Sequence, residues 1–168
     1  MRRLILMRHA KSDWSHAGLS DHDRPLNARG TQAARDLGHW MRAQGYHPDQ
    51  VMCSSAERTG QTLIGLQLEP TPQTLFTSAL YLCEARHMLE TLNSATKPTV
   101  LMLGHNPGIC EMAHRLLEDP PTHLRFSDYP TGATLVCDFD TDDWMNVDWL
   151  SGTVVDFVIP RELSPSTV

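Results

Sequence analysis

Leu4-Ile5-Leu6-Met7 runs straight into Arg8-His9-Ala10-Lys11-Ser12. A short apolar run of β-compatible residues, too brief for a helix, predicts a strand buried on both faces. The abrupt change at Arg8 then sets a cation and an imidazole at that strand's carboxyl end.

Outward from this strand the pattern repeats. Pro25, Asn27 and Gly30 punctuate a loop, and Ala33, Ala34, Leu37, Trp40 and Met41 recur at helical spacing until Gly45. Gln50 to Cys53 reads as a second strand, and Ser54-Ser55 as the cap of a helix carrying Thr62, Leu63, Leu66 and Leu68. Pro70 and Pro72 break that helix, and Glu84 to Leu92 predicts another. Thr99 to Leu103 is a further buried strand ending at Gly104-His105-Asn106-Pro107, where Pro107 suits the first turn of a helix through Ile109, Met112, Ala113 and Leu116. Ala133 to Asp138 and Asn146 to Ile159 read as later strands. Alternating strands and helices imply an α/β fold with a mainly parallel sheet covered on both sides.

Length and composition fit one soluble globular domain over residues 1–163, with 164–168 as a frayed tail: 168 residues, 40% hydrophobic, 20% charged. The apolar run near the N-terminus ends at Arg8, too early for a secretion signal, and none is long enough to span a bilayer. A cytoplasmic location is expected. The net charge of -6 opposes general binding to nucleic acid or anionic membrane. Cys53, Cys83, Cys110 and Cys137 form no C-x-x-C pair and read as reduced thiols, and the remaining histidines fit no metal spacing such as H-E-x-x-H. No metal or other cofactor is expected.

In an open α/β sheet, ligands bind beyond the carboxyl ends of the strands. Three of those ends carry reactive residues: Arg8-His9, Ser54-Ser55-Ala56-Glu57-Arg58 and Gly104-His105. Two arginines and two histidines converging on one crevice suit phosphoryl transfer, in which the protein neutralises the equatorial oxygens while an in-line nucleophile attacks. His9 is the candidate nucleophile, provided that it is neutral; His105 would donate a hydrogen bond as charge builds.

These motifs resemble those of the histidine phosphatase (phosphoglycerate mutase-like) superfamily. Arg8-His9-Ala10 is similar to its R-H-G signature with alanine for glycine, Ser54 to Thr62 to its S-S-x-x-R-[AT]-x-x-T segment, and Gly104-His105 to its late G-H. The stretch Arg8 to Trp14, with Asp23 to Gly30, more closely resembles the short phosphohistidine phosphatases of the SixA type. The resemblance spans Arg2 to Leu117. It implies a three-layer α/β/α sandwich, a phosphorylated His9, and a phosphate pocket of Arg8, Arg58 and His105. Arg24 is either a further phosphate contact or a partner of Asp21 or Asp23 that holds its loop. The superfamily's acid has no clear counterpart; Glu84 is a candidate, or else favours a helix dipole. Trp14 either packs or walls the mouth, and Lys11 adds positive charge or is simply solvated.

Other phosphatase chemistries fail on spacing. Cys53 and Arg58 are one residue too close for a C-x5-R loop, and Asp138-Phe139-Asp140-Thr141-Asp142 lacks the last position of D-x-D-x-[TV]. The expected activity is metal-independent hydrolysis through a phosphohistidine enzyme intermediate. A phosphate monoester expels an alkoxide, which needs an acid, whereas phosphohistidine expels an imidazole with a conjugate-acid pKa of about 6.5. A weakly specified acid therefore points to phosphohistidine on a protein. The alternatives are a small phosphorylated substrate, either a monoester or an anhydride, and a non-catalytic phosphate-binding module.

Overall fold

The structure, a computed structural model, describes residues 1–164. Strand β1 (Arg2–Arg8) turns Leu4 and Leu6 to one face and Ile5 and Met7 to the other, all fully buried. The same period of two sorts the side chains of β2 (Gln50–Ser54), β4 (Thr99–Gly104) and β5 (Thr134–Phe139) between two hydrophobic clusters. One cluster is closed by α1 (Ala28–Gln44) and α2 (Glu57–Leu66) through Leu37, Met41 and Leu66. The other is closed by α3 (Ala85–Asn93) and α4 (Gly108–Leu116) through Met88, Leu92, Met112 and Leu116. The result is a sheet covered on both sides, as the alternation implies, and the α/β/α sandwich that the resemblance implies.

With β3 (Gln73–Thr77) and β6 (Gly152–Val158), the six strands run in the order β3-β2-β4-β1-β5-β6. The first four are parallel, whereas β5 and β6 pair antiparallel on one side. Arg8 is the register partner of Gly104, and Cys53 that of Leu103, so the carboxyl ends of β1, β2 and β4 lie at one rim.

Several boundaries differ from the sequence reading. Helix α2 stops at Leu66 rather than running to Leu68: Gln67 turns left-handed (φ 51°) and Arg42 Nη1 donates to the carbonyls of Leu66 and Gln67 at 2.8 and 3.1 Å. The N-cap of that helix is Ala56, not Ser54 or Ser55: the Ser54 hydroxyl pairs with His105 and accepts only from Ala56 N, at 3.3 Å, while the Ser55 hydroxyl pairs with His22. Pro107 is the N-cap of α4, not its first turn, and Glu84 precedes α3 as its N-cap. The strand expected from Asn146 begins only at Gly152. Asp143 caps a 3-10 turn over Trp144–Asn146, the Trp144 indole donates to the Lys97 carbonyl at 2.6 Å, and Leu150 is left-handed (φ 57°), which bends the chain out of extension. The tail expected over 164–168 lies, beyond Ser164, outside the described residues.

Candidate active site

A cavity of ≈ 310 Å³ opens at the rim where the parallel strands end. Its lining includes Arg8, His9, Arg24, Arg58 and His105, and also Ser12, Trp14, Asp21 and Asn106. The register of β1 and β4 brings the two imidazoles together, with ring centroids 5.2 Å apart. The backbone at the first is fixed from both sides: His9 N donates to Gly104 O at 3.1 Å, and Gly132 N donates to the carbonyls of Arg8 and His9 at 3.1 and 2.9 Å. Gly132 has φ 75°, and a Cβ there would sit 2.4 Å from Pro160 Cγ, so glycine suits this turn on both counts.

His9 Nδ1 lies 2.7 Å from the carbonyl oxygen of Ala10. A carbonyl can only accept, so Nδ1 carries the proton and Nε2 keeps its lone pair. Burial, followed by the nearby His105, Arg8 and Arg58, pushes the pKa of His9 down to about 3, against the opposing effect of the Ala10 bond. The ring is therefore neutral near pH 7. His105 is also pushed down to about 3, by burial first and then by the charge of Arg58. Its Nε2 is bonded to Ser54 Oγ at 2.8 Å, while its buried Nδ1 has no partner among the described residues.

The guanidinium groups are positioned by their outer nitrogens. Arg8 Nη1 donates to Tyr129 O at 3.1 Å; Arg58 donates to Asp21 O at 2.6 Å and to Asp21 Oδ2 at 3.0 Å; Arg24 donates to Ser12 Oγ and, at 3.1 Å, to Asp21 Oδ1. The buried Nε–H groups of Arg8, Arg24 and Arg58 make no hydrogen bond within the described residues. Three guanidinium groups lining one cavity supply the positive charge that suits an oxyanion with several acceptor oxygens. Tyr81 hydroxyl donates to Asp21 Oδ2. That bond, followed by those from Arg24 and Arg58, holds the Asp21 carboxyl well below the usual carboxylate range.

The buried Thr62 supports this arrangement from within. Thr62 Oγ1 accepts from Ala10 N at 3.0 Å and donates to Arg58 O at 2.7 Å, linking the loops that carry His9 and Arg58. Tyr129, buried with φ 49°, sets its carbonyl toward Arg8 and Asn106 and its hydroxyl between Leu6 O at 2.6 Å and Leu135 N at 3.2 Å. Trp14 is 76% exposed, and the Arg24 guanidinium carbon lies 3.6 Å from its ring centroid. It therefore walls the mouth.

The structure thus brings together Arg8, His9, Arg24, Arg58 and His105, but not Glu84, which is exposed at the start of α3 and outside the cavity lining. Arg24 pairs with Asp21, as the loop-holding reading expects, and also lines the cavity. The sequence reading missed Tyr81, Ser12 and Asn106, and saw Asp21 only as a loop partner. The R-P-L run after Asp23 was the one available signal for that loop. Among the described residues, no three His, Cys, Asp or Glu side chains are grouped as metal ligands.

Comparison with known proteins bears on this geometry. A family model described as histidine phosphatase superfamily (branch 1) matches residues 4–76. The chain belongs to the histidine phosphatase superfamily. A structure assigned to phosphohistidine phosphatase SixA of Nakamurella multipartitia superposes with a TM-score of 0.83 at 27% identity, covering 95% of this chain and 96% of that one. An uncharacterized protein of Mycobacterium tuberculosis is 32% identical over 162 residues, covering 92% of this chain and 100% of its own length. An uncharacterized chloroplastic protein of Arabidopsis thaliana is also 32% identical, over 128 residues; that match covers 68% of this chain and 59% of the plant protein. The superfamily match at 4–76 includes Arg8, His9, Arg24 and Arg58; His105 lies beyond it. No described helix is long and apolar enough to cross a membrane.

Proposed function

We propose that this superfamily member hydrolyses phosphohistidine carried on a protein. His9 Nε2 attacks phosphorus and forms a P–N bond while the bond to the leaving imidazole breaks and that imidazole takes a proton from solvent. Water then adds to phosphorus, the His9 P–N bond breaks, and inorganic phosphate departs. Arg8, Arg24, Arg58 and His105 bind the phosphoryl oxygens in both steps.

One observation carries the choice of leaving group. Asp21 is the cavity's lining carboxyl, and it is held ionised by Tyr81, Arg24 and Arg58. An ionised carboxylate has no proton for a departing alkoxide, whose protonation is typically worth about 10²–10⁴-fold in rate. An imidazole leaving group needs far less help. The likeness to SixA-type structures supports the same reading.

The test supplies purified protein, with chelator present, with a phosphohistidine peptide and with sugar and nucleotide phosphates. The expected result is faster turnover of the phosphohistidine peptide, with an acid-labile phosphoenzyme that is absent from a folded His9→Ala variant. Faster turnover of a sugar phosphate, or a phosphoenzyme that persists in His9→Ala, overturns the reading.

A further inference from the structure

Beside the phosphate pocket lies a second and larger cavity, of ≈ 670 Å³, and the two share Lys11 and Thr131 in their linings. A substrate phosphorylated in the first would extend over these residues into the second. Its wall carries Lys11, Arg29, Arg125 and Arg161 against one carboxylate, Asp36. Arg125 is neutralised by Asp128 at 2.9 Å, whereas Lys11, Arg29 and Arg161 form no ion pair among the described residues. Three cations without an ion pair among the described residues, beside one groove, run against the composition of a chain whose net charge is -6.

The position of Arg29 adds weight. It occupies the first turn of α1, a turn with no acidic residue, where the positive end of the helix dipole disfavours a cation by about 0.3–1 kcal/mol. The helix itself therefore gives no electrostatic reason for a cation at this position. The phosphate pocket is built differently: Arg24 and Arg58 are buried and braced by Asp21, whereas Lys11, Arg29 and Arg161 are exposed on flexible stems. Dispersed exposed cations match spread negative charge, not a second fixed phosphate. Pro160 between them is half-buried and offers apolar contact for side chains.

We infer that this groove binds an acidic segment of the phosphoprotein substrate, rich in Asp and Glu, lying next to the phosphorylated residue. The inference rests on the proposed function only for the identity of the group in the adjoining pocket. Its electrostatic part stands on Arg29 and Arg161, which lie outside the phosphate-pocket lining.

Two measurements on the full chain test it. Binding of an unphosphorylated, fluorescein-labelled peptide of alternating Glu and Ala is read by anisotropy, for the wild type and for the double variant Arg29→Ala, Arg161→Ala. Removing two rim cations should weaken binding by about 3- to 30-fold and flatten its salt dependence. Hydrolysis of free phosphoimidazole should be equal in the two proteins, while a phosphohistidine flanked by Glu loses kcat/KM in the variant. The charge-reversed Arg29→Glu, Arg161→Glu protein should instead favour a Lys-containing peptide. Equal peptide binding by wild type and variant, no binding by either, or an equal loss on phosphoimidazole overturns the assignment. Arginine-dependent peptide binding without phosphohistidine turnover leaves the groove assigned and sinks the phosphatase reading instead.

Discussion

Lowering the pH from 7.5 to 5 should weaken the fold by about 4 kcal/mol, through the two site histidines alone. His9 and His105 are each pushed down to about 3 in the folded protein, by burial first and then by their charged neighbours. In the unfolded chain, a histidine titrates near pH 6.5. Between these values the unfolded chain binds more protons, so stability is full above 6.5 and falls as the pH falls toward 3. Integrated to pH 5, a difference of this size costs about 2 kcal/mol per histidine. Carboxylates held low, such as Asp21 and Asp128, act in another window: their contribution is lost only below the ordinary carboxylate range of about 4. Urea unfolding at both pH values reads the effect. The wild type should lose about 4 kcal/mol, a His105→Gln variant about 2, and the His9→Gln, His105→Gln double variant under about 1. A double variant that keeps the whole acid loss would refute the assignment to these rings.

Other outcomes follow from single contacts. Arg58→Lys removes a fork that is 2% exposed and bonded twice to Asp21, so inhibition by vanadate should weaken by about 10- to 150-fold; an unchanged inhibition constant would contradict its placement. Glu84→Gln, at an exposed position outside the cavity, should change turnover of alkyl phosphate and phosphohistidine alike by less than about twofold. A loss of about 100-fold on the alkyl phosphate alone would restore Glu84 as an acid. Gly30→Ala would place a Cβ 2.0 Å from the Lys11 carbonyl oxygen, so it should lower stability by about 1–3 kcal/mol and slow turnover by shifting the loop after His9. Unchanged Tm and rate would show that the helix start can yield.

The central strands were legible because burial on both faces writes uninterrupted apolar runs, as in Leu4–Met7 and Thr99–Leu103. Strand β3 was not, since it lies at the sheet edge with Gln73, Leu75 and Phe76 exposed. Its stability comes from pairing with β2, which leaves no period in its own residues. Arg8, His9, Arg58 and His105 were legible as site candidates because each sits at or just beyond a strand end. Tyr81 was not, since its bond to Asp21 closes across 60 positions of sequence between two loops. Glu84 illustrates the converse: its place in the chain suggested proximity, but the turn before α3 leaves it on the surface.

Tyr129 ties the pocket to the sheet in a way that affects how the molecule opens. Its hydroxyl bridges Leu6 and Leu135, which face each other across β1 and β5, while its carbonyl holds Arg8. An opening of the sheet that carries the whole of Tyr129 away frees the Leu135 amide and releases Arg8 together, so amide exchange at Leu135 reads one of the motions that would loosen the pocket.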